Sequence, residues 1–277
     1  MTDKAGQSNK LDFSSLRWGS VEWTNLCMLY LRACESRLEH PVLGDRAAAE
    51  AVDRIDYDFA RMHRSVHPWG NQFFVALRGK QLDTWADDFL RRHPDAVVLY
   101  LGCGLDSRAF RLEMPSGVRW FDVDVPEVIA LRRLLYTERT GYTMIGSSVT
   151  DSGWLDQVPA DHPALIIAEG LLMYLTEAEV RDLLQRLTDR FGTGELLADL
   201  LSPWRARLSR IATSGLIKWG THDGHELTEW KPRLKLIETS VFIDPAKVPL
   251  KPQRLLYRLS CAIPGIRNYH RLYRFRF

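Results

Sequence analysis

The sequence lacks the cysteine patterns of disulfide-stabilised and zinc-binding proteins. It has four cysteines, at Cys27, Cys34, Cys103 and Cys261. None of them forms a C-x-x-C pair or a paired metal-ligand spacing. We therefore expect reduced thiols, as is usual inside cells, rather than a disulfide framework.

Long apolar runs and a signal peptide are also missing. No stretch approaches the ~18 consecutive apolar residues that span a bilayer, and residues 1–15 are polar. A secretory leader would need an apolar segment near the start of the chain. These absences predict a cytoplasmic protein that has no membrane partner.

An excess of charge of one sign is absent too. The chain has 37 Lys and Arg against 35 Asp and Glu, a net charge of +2, which is too balanced for a general nucleic-acid binder. Residues 251–277 are a local exception, because they contain seven Lys and Arg and no acid. In 269–277, however, aromatic and basic residues alternate, which favours a terminal, half-exposed strand with a solvated basic face. We expect no nucleic-acid partner.

The composition shows no low-complexity tract, internal repeat or linker. With 45% hydrophobic and 26% charged residues, the 277-residue chain has the composition of a globular protein. We expect one domain, 1–277, made of four consecutive parts. These are an N-terminal helical cap (1–93), a cofactor-binding core (94–201), a substrate-side insertion (202–232) and the C-terminal strands of the sheet (233–277).

The hydrophobic pattern changes from helical spacing to short strands near residue 95. Leu26, Leu29, Tyr30 and Ala33 follow helical spacing, which predicts an amphipathic helix. Further helices are predicted at 46–55, 72–92 and 126–139, and after a T-x-x-E capping box at 176–179. Strands are predicted at 96–101, 118–124, 142–146, 164–169, 195–200, 236–243 and 269–277. This alternation predicts an α/β fold with a doubly wound, mostly parallel sheet.

The strongest local signal is the segment LGCGLDSRAFR, which follows the first buried strand directly. Gly102 and Gly104 form a G-x-G turn, where the missing Cβ atoms permit a tight turn and a close approach of a ligand. Asp124 closes the next strand, 20 residues after Gly104. A carboxylate at that place can accept both hydroxyls of a ribose. Dinucleotide enzymes favour a third glycine where this chain has Ser107, because a pyrophosphate lies there. The pattern therefore favours S-adenosylmethionine, which has a ribose and no phosphate.

Three longer segments extend this pattern: VVLYLGCGLDSRAFRL, VRWFDVDVPEVIALRR and LIIAEGLLMYLTEAEV. In this order they resemble the leucine carboxyl methyltransferase family, and more narrowly its bacterial branch related to the tetracenomycin polyketide O-methyltransferases. The similarity extends from about Thr24 to the end of the chain. It implies a class I methyltransferase (Rossmann-like) fold, S-adenosylmethionine as the methyl donor and S-adenosylhomocysteine as the product.

The resemblance also assigns roles to individual residues. Arg78 matches an arginine that approaches the methionine carboxylate, and a guanidinium fork suits that anion. Gly102 matches the loop glycine beside the cofactor, Asp124 the ribose-binding acid, and Glu169 a glutamate at the end of the fourth strand. Asp122 occupies a neighbouring acidic position, and we interpret it as structural.

The adenine and acceptor contacts are less directly matched. Protein-methylating relatives carry an acid-Leu pair where this chain has Ser148 and Val149, so here the backbone of Val149 is expected to read the adenine edge. Tyr174 is expected to face the acceptor, although Met173 to Leu175 fits a core segment equally well. The sequence identifies no catalytic base. His222 and His225 have H-x-x-H spacing without a third ligand, so we favour a polar loop and expect no metal.

The predicted function is S-adenosylmethionine-dependent O-methylation of a small-molecule carboxylate or hydroxyl, polyketide-like or from other secondary metabolism. Methylation of a protein C-terminal carboxylate and a non-catalytic nucleoside-binding protein stay open as alternatives. We expect the acceptor to enter between the N-terminal helices, about 16–70, and the 202–232 insertion, with Trp and Tyr side chains forming an apolar wall.

Overall fold

The structure, a computed structural model, describes residues 10–212, 215–231 and 233–277 of the chain. Residues 1–9 of the polar start, and three positions of the 202–232 insertion, lie outside the described residues. None of the described helices is both long enough and apolar enough to cross a membrane.

Parallel strands form most of the main sheet. The strands are β1 (Leu11–Asp12), β2 (Ile55–Asp56), β3 (Val97–Leu101), β4 (Arg119–Asp124), β5 (Tyr142–Gly146), β6 (Ala164–Ala168), β7 (Gly194–Leu201), β8 (Lys235–Val241) and β9 (His270–Arg276). The main sheet has the order β5-β4-β3-β6-β7-β9-β8, and β9 is antiparallel to both of its neighbours. β1 and β2 pair separately. The doubly wound, mostly parallel sheet that the sequence predicts is therefore confirmed.

Helices precede the sheet and connect its strands. They are α1 (Val21–Ser36), α2 (Arg46–Asp53), α3 (Phe59–Val66), α4 (Pro68–Arg92), α5 (Arg108–Arg111), α6 (Pro126–Leu135), α7 (Glu177–Arg190), α8 (Pro203–Ala212), α9 (His225–Trp230), α10 (Lys251–Cys261) and α11 (Pro264–Arg267). α1 begins at its N-cap Ser20, whose hydroxyl accepts from the N–H of Trp23. The predicted capping box is present at the start of α7, between Thr176 and Glu179.

The sheet is buried on both faces, as its continuous apolar strands predict. In β3, Val98 and Tyr100 point into the core beneath the N-terminal helices, whereas Val97, Leu99 and Leu101 join the core that contains α7. All five residues of β3 are buried. The predicted stripe of α1 (Leu26, Leu29, Tyr30 and Ala33) lies in the first of these cores.

The C-terminal part departs from the sequence prediction. The range 233–277 contains not only strands but also α10 and α11 between them. β9 lies inside the sheet, between β7 and β8, rather than at a half-exposed edge. Arg274, expected on a solvated face, is only 8% exposed, because its guanidinium forms ion pairs with Glu195 and Asp88. The alternating aromatic and basic residues of the tail predicted the strand correctly. They could not show that acids from other elements form ion pairs with its basic face.

The chain reverses its winding direction at β3. From β3 the sheet continues to β4 and β5 on one side and to β6 and β7 on the other. Loops at the carboxyl ends of β3 and β6 therefore lead away from each other and leave a crevice, which is the usual ligand site in open α/β sheets.

Candidate functional site

The glycine loop after β3 has a backbone conformation that residues with a side chain rarely adopt. Gly102 and Gly104 have φ angles of +61° and +53°, in the left-handed region. A Cβ atom on Gly102 would lie 2.9 Å from a methyl carbon of Leu171, and one on Gly104 would lie 2.8 Å from the side-chain oxygen of Asn25. The left-handed backbone therefore favours glycine at both positions, a side chain there would displace Leu171 or Asn25, and the position of Asn25 shows that α1 packs directly onto the loop.

Asp124 ends β4 beside this loop. Its Oδ2 accepts a hydrogen bond from the N–H of Gly104, and its Oδ1 accepts one from the N–H of Val125, both at 2.8 Å. Burial raises the pKa of this carboxyl, while the two N–H groups oppose that effect. An ionised carboxylate has about four acceptor positions, so each oxygen of Asp124 keeps one for a ligand hydroxyl.

Ser148 and Val149 lie after β5, at the same edge of the sheet. The hydroxyl of Ser148 is 2.7 Å from that of Thr150, which leaves it turned into its own loop. Val149 is buried, and its N–H forms no hydrogen bond within the part of the chain that the structure describes. Because buried N–H groups are almost always paired, this donor is suited to a ligand acceptor such as an adenine nitrogen.

Glu169 is held by three arginines at the end of β6. Its carboxylate accepts from Arg32 Nη2 at 2.9 Å, from Arg78 Nε at 2.8 Å, and from Arg108 Nη2. Burial alone would raise the pKa of Glu169, but the three guanidinium groups lower it below the usual range. Glu169 is therefore ionised, and it fixes Arg78 at the crevice.

Arg78 also connects the site to two residues that the sequence reasoning missed. Its Nη1 is 3.2 Å from Asp199 Oδ2 in β7, and the same oxygen is 2.7 Å from Nε2 of His270 in β9. Burial raises the pKa of Asp199, but Arg78 and the bond from His270 outweigh it and bring the pKa to about 2. An acid within the apolar segment ELLADL was a signal in the sequence, but nothing there pointed to its histidine partner.

One cavity of about 500 Å³ brings these residues together. Each predicted site residue, Arg78, Gly102, Gly104, Asp124, Ser148, Val149, Glu169 and Tyr174, lines it. Part of its wall is apolar and consists of Val21, Met28, Leu171, Met173, Leu175 and Leu216. No described Trp or Tyr of 16–70 or of the 202–232 insertion lines it, contrary to the expected wall, and within the insertion Trp219 and Trp230 pack against each other with ring centroids 5.7 Å apart.

The charges of this wall are unequal. Among the described lining residues, Glu22, Asp106, Asp124 and Glu169 contribute carboxylates, whereas Arg32 and Arg78 contribute guanidinium groups. Asp106 and Glu169 form ion pairs with these arginines and with Arg108 and Arg111. The carboxylates of Glu22 and Asp124, which form no ion pair among the described residues, suit S-adenosylmethionine, which carries a sulfonium and an ammonium against one carboxylate. They disfavour a dinucleotide with its anionic pyrophosphate. With the paired acceptor of Asp124 and the free N–H of Val149, the residues present fit this donor.

Two neighbouring candidates have other roles. Asp122 is fully buried and accepts from the indole of Trp120, the guanidinium of Arg132 and the hydroxyl of Tyr142, so it is structural, as the sequence suggested. His222 and His225 belong to no group of three potential metal ligands among the described residues.

Comparison with known proteins identifies the family. The family model "Leucine carboxyl methyltransferase" matches residues 25–188, more than half of the chain. The tetracenomycin polyketide synthesis O-methyltransferase TcmP of Streptomyces glaucescens is 42% identical over 270 residues, covering 95% of this chain and 99% of that protein. An S-adenosyl-L-methionine-dependent methyltransferase of Gibberella zeae, dpfgK, is 38% identical over 197 residues, 65% of each chain.

A solved structure agrees on the fold. A crystal structure from Thermobifida fusca, assigned as a methyltransferase, superposes with a TM-score of 0.59 at 17% identity, covering 93% of this chain and 94% of that one. This similarity shows the class I methyltransferase architecture that the sequence predicted. The chain belongs to the leucine carboxyl methyltransferase family, and it is an S-adenosylmethionine-dependent O-methyltransferase.

Proposed function

We propose that this chain methylates a hydroxyl oxygen of a small, mostly apolar molecule, such as an aromatic polyketide. The observation that carries the proposal is the shared cavity, which has donor-binding groups at one end and an apolar wall of Met and Leu side chains. Pockets of this kind bury small ligands and orient them with a few polar groups. The name of the Streptomyces glaucescens relative, which refers to polyketide synthesis, supports the same acceptor class.

In this proposal the donor lies across the carboxyl ends of β4, β3 and β6. Asp124 binds the ribose hydroxyls, and the N–H of Val149 reads the adenine edge, with Ser148 shaping that loop. Gly102 and Gly104 let the loop backbone approach the donor. Arg78, oriented by Glu169, binds the methionine carboxylate. When bound, S-adenosylmethionine supplies an electrophilic sulfonium methyl group.

A hydroxyl acceptor fits the charges of the cavity better than a carboxylate does. Of its two lining arginines, Arg32 is paired with Glu169, and Arg78, which is paired with Glu169 and Asp199, is assigned to the methionine carboxylate, so neither is left for an anionic acceptor. No lysine lines the cavity among the described residues. An anionic acceptor would therefore enter a wall with an excess of carboxylates, which opposes its binding. The same argument disfavours the C-terminal carboxylate of a protein.

Matched acceptors test this proposal. Methyl transfer from radiolabelled S-adenosylmethionine is measured with 1-naphthol, with 1-naphthoic acid, and with a short peptide that has a free C-terminal leucine. We expect transfer to 1-naphthol at a rate well above that for the other two. Transfer to the acid or the peptide, with none to the naphthol, would overturn the hydroxyl acceptor.

A further inference from the structure

α1 presents a second stripe of side chains to the cavity. Val21, Asn25, Met28 and Arg32 follow helical spacing, so they lie on one side of the helix, and all four line the cavity. The core stripe of the same helix points to a different side. The helix from Asn25 to Arg32 spans about 10 Å, at 1.5 Å per residue. α1 therefore covers one end of the cavity over that length.

The two ends of this span contact residues assigned to the donor. At one end, Arg32 Nη2 is 2.9 Å from Glu169 Oε1. At the other end, the Oδ1 of Asn25 would lie 2.8 Å from a Cβ atom on Gly104. The N–H of Gly104 in turn donates to Asp124 Oδ2 at 2.8 Å. A single residue, Gly104, thus separates the side chain of Asn25 from the carboxylate assigned to the ribose.

The carboxamide of Asn25 is free to bind a ligand. Among the described residues, it is the only carboxamide that lines the cavity, and neither its nitrogen nor its oxygen forms a hydrogen bond. Its Nδ2 is also not enclosed by protein atoms. The neighbouring hydroxyl of Thr24 differs, because it donates to the carbonyl of Ser20 at 3.0 Å. Asn25 therefore keeps unused N–H donors beside the glycine loop.

A ribose hydroxyl needs a hydrogen-bond donor as well as an acceptor. Each hydroxyl has one hydrogen to donate and two lone pairs that accept. The ionised carboxylate of Asp124 only accepts, so it binds the hydrogen and leaves the hydroxyl oxygen without a donor. A polar atom that leaves water and finds no partner costs free energy. An amide N–H, as in Asn25, supplies the donor that a carboxylate lacks.

We propose that Asn25 is a second ribose-binding residue, whose side-chain N–H donates to the oxygen of a hydroxyl that donates its hydrogen to Asp124. The inference rests on the proposed position of the ribose at Asp124. The two residues belong to α1 and β4, so the ribose is bound between the N-terminal helices and the sheet. Together they select a ribonucleoside donor over its deoxy analogues more strongly than Asp124 does alone.

Ribose analogues test this contact without a methyl acceptor. The dissociation constants of S-adenosylhomocysteine and of its 2′-deoxy and 3′-deoxy analogues are measured by calorimetry, for the wild-type protein and for Asn25→Ala. We expect Asn25→Ala to bind S-adenosylhomocysteine about three- to tenfold more weakly, as for the loss of one neutral hydrogen bond. The analogue that lacks the contacted hydroxyl should bind equally to the two proteins, because its contact with Asn25 is already absent.

Two further variants distinguish the hydrogen bond from a change in packing. Asn25→Leu keeps the approximate shape of the side chain without its polar atoms, so it should reproduce the alanine result, and it replaces that variant if Asn25→Ala does not fold. Asn268→Ala is the matched control, because Asn268 is exposed and lies outside the cavity. We expect it to bind all three ligands as the wild-type protein does. If the Asn25 variants bound all three ligands more weakly by the same factor, the effect would be one of packing and the proposal would be overturned.

The outcomes also separate this role from the ribose assignment. If Asp124→Ala leaves the affinity for S-adenosylhomocysteine unchanged, the proposed donor position fails, and the role of Asn25 fails with it. If Asp124→Ala weakens binding and the Asn25 variants bind all three ligands as tightly as the wild-type protein, the donor position stands and the role of Asn25 is wrong.

Discussion

The carboxylate of Asp124 makes its ribose assignment testable by one substitution. Asp124→Ala removes two charge-assisted hydrogen bonds to the donor, each contributing roughly 1.5–3 kcal/mol. We expect the dissociation constant of S-adenosylhomocysteine, measured by calorimetry, to rise about 100-fold or more. Asp156→Ala, at an exposed position outside the cavity, is the control. An unchanged dissociation constant in a folded Asp124→Ala protein would show that the ribose lies elsewhere.

Gly102 offers a conformational test at the same scale. An alanine there would have a left-handed backbone, which costs about 1–2 kcal/mol, and its Cβ would collide with Leu171. We expect Gly102→Ala to lower the free energy of unfolding by at least that amount in urea denaturation and to weaken donor binding. Gly153→Ala is matched to it, because no atom lies within 4 Å of the added Cβ. If the two variants were equally stable, alanine at position 102 would not strain the backbone.

Individual residues were predictable from the sequence where the chain keeps them close together. Gly102, Gly104 and Asp124 lie within two consecutive strands and their loop, so their spacing alone pointed to a nucleoside. Asp199 and His270 are 71 residues apart, and only the pairing of β7 with β9 brings them together. Short-range patterns carry no information about such a contact.

At the scale of elements, the capping box of α7 can be measured on its own. The hydroxyl of Thr176 accepts from the N–H of Glu179 at 3.3 Å and is 2.9 Å from that residue's carboxylate. Thr176→Ala should lower stability by about 1 kcal/mol, a fall in Tm of roughly 2–4 °C. In Thr84→Ala, within exposed helix, the alanine favours helix formation, so Tm should not fall. A fall of equal size in both variants would argue against the cap.

Elements with one clear period were predicted well. The strands β3 to β7 and the helix α6 lie within a few residues of their predicted bounds, and α1 and α7 carry the apolar stripe and the capping box that predicted them. α10 was missed. Its apolar side chains Leu255, Leu256 and Leu259 are exposed, so its sequence does not show the inward stripe by which the other helices were recognised.

For the whole molecule, ligand binding should appear as a gain in stability. A ligand at 100 times its dissociation constant stabilises the folded state by about 2.7 kcal/mol, which for a chain of this size corresponds to roughly 5–10 °C in Tm. We expect such a shift with S-adenosylhomocysteine in thermal unfolding. NAD⁺ is the control ligand, because its pyrophosphate meets the carboxylate excess of the cavity. A larger shift with NAD⁺ would contradict the donor assignment.

The overall architecture was accessible from the sequence because strands and helices alternate in a regular order from residue 95 to 201. The order of the last strands was not. An antiparallel strand can join an open sheet at either edge or between two strands, and its own residues do not indicate which of these positions it takes. Arg274 shows the consequence, since its burial depends on Asp88 and Glu195 from other parts of the chain.

The position of β9 has a consequence for the time course of folding. β8 precedes β9 in the chain but reaches the sheet through its pairing with β9, and β9 first has to find β7, 69 residues upstream at the pair Leu201 and His270. Pairings over such separations form slowly. The residues assigned to the donor all lie between Arg78 and Glu169 and need neither strand. During refolding from urea, the protein should therefore regain S-adenosylhomocysteine binding before its circular dichroism shows the complete sheet.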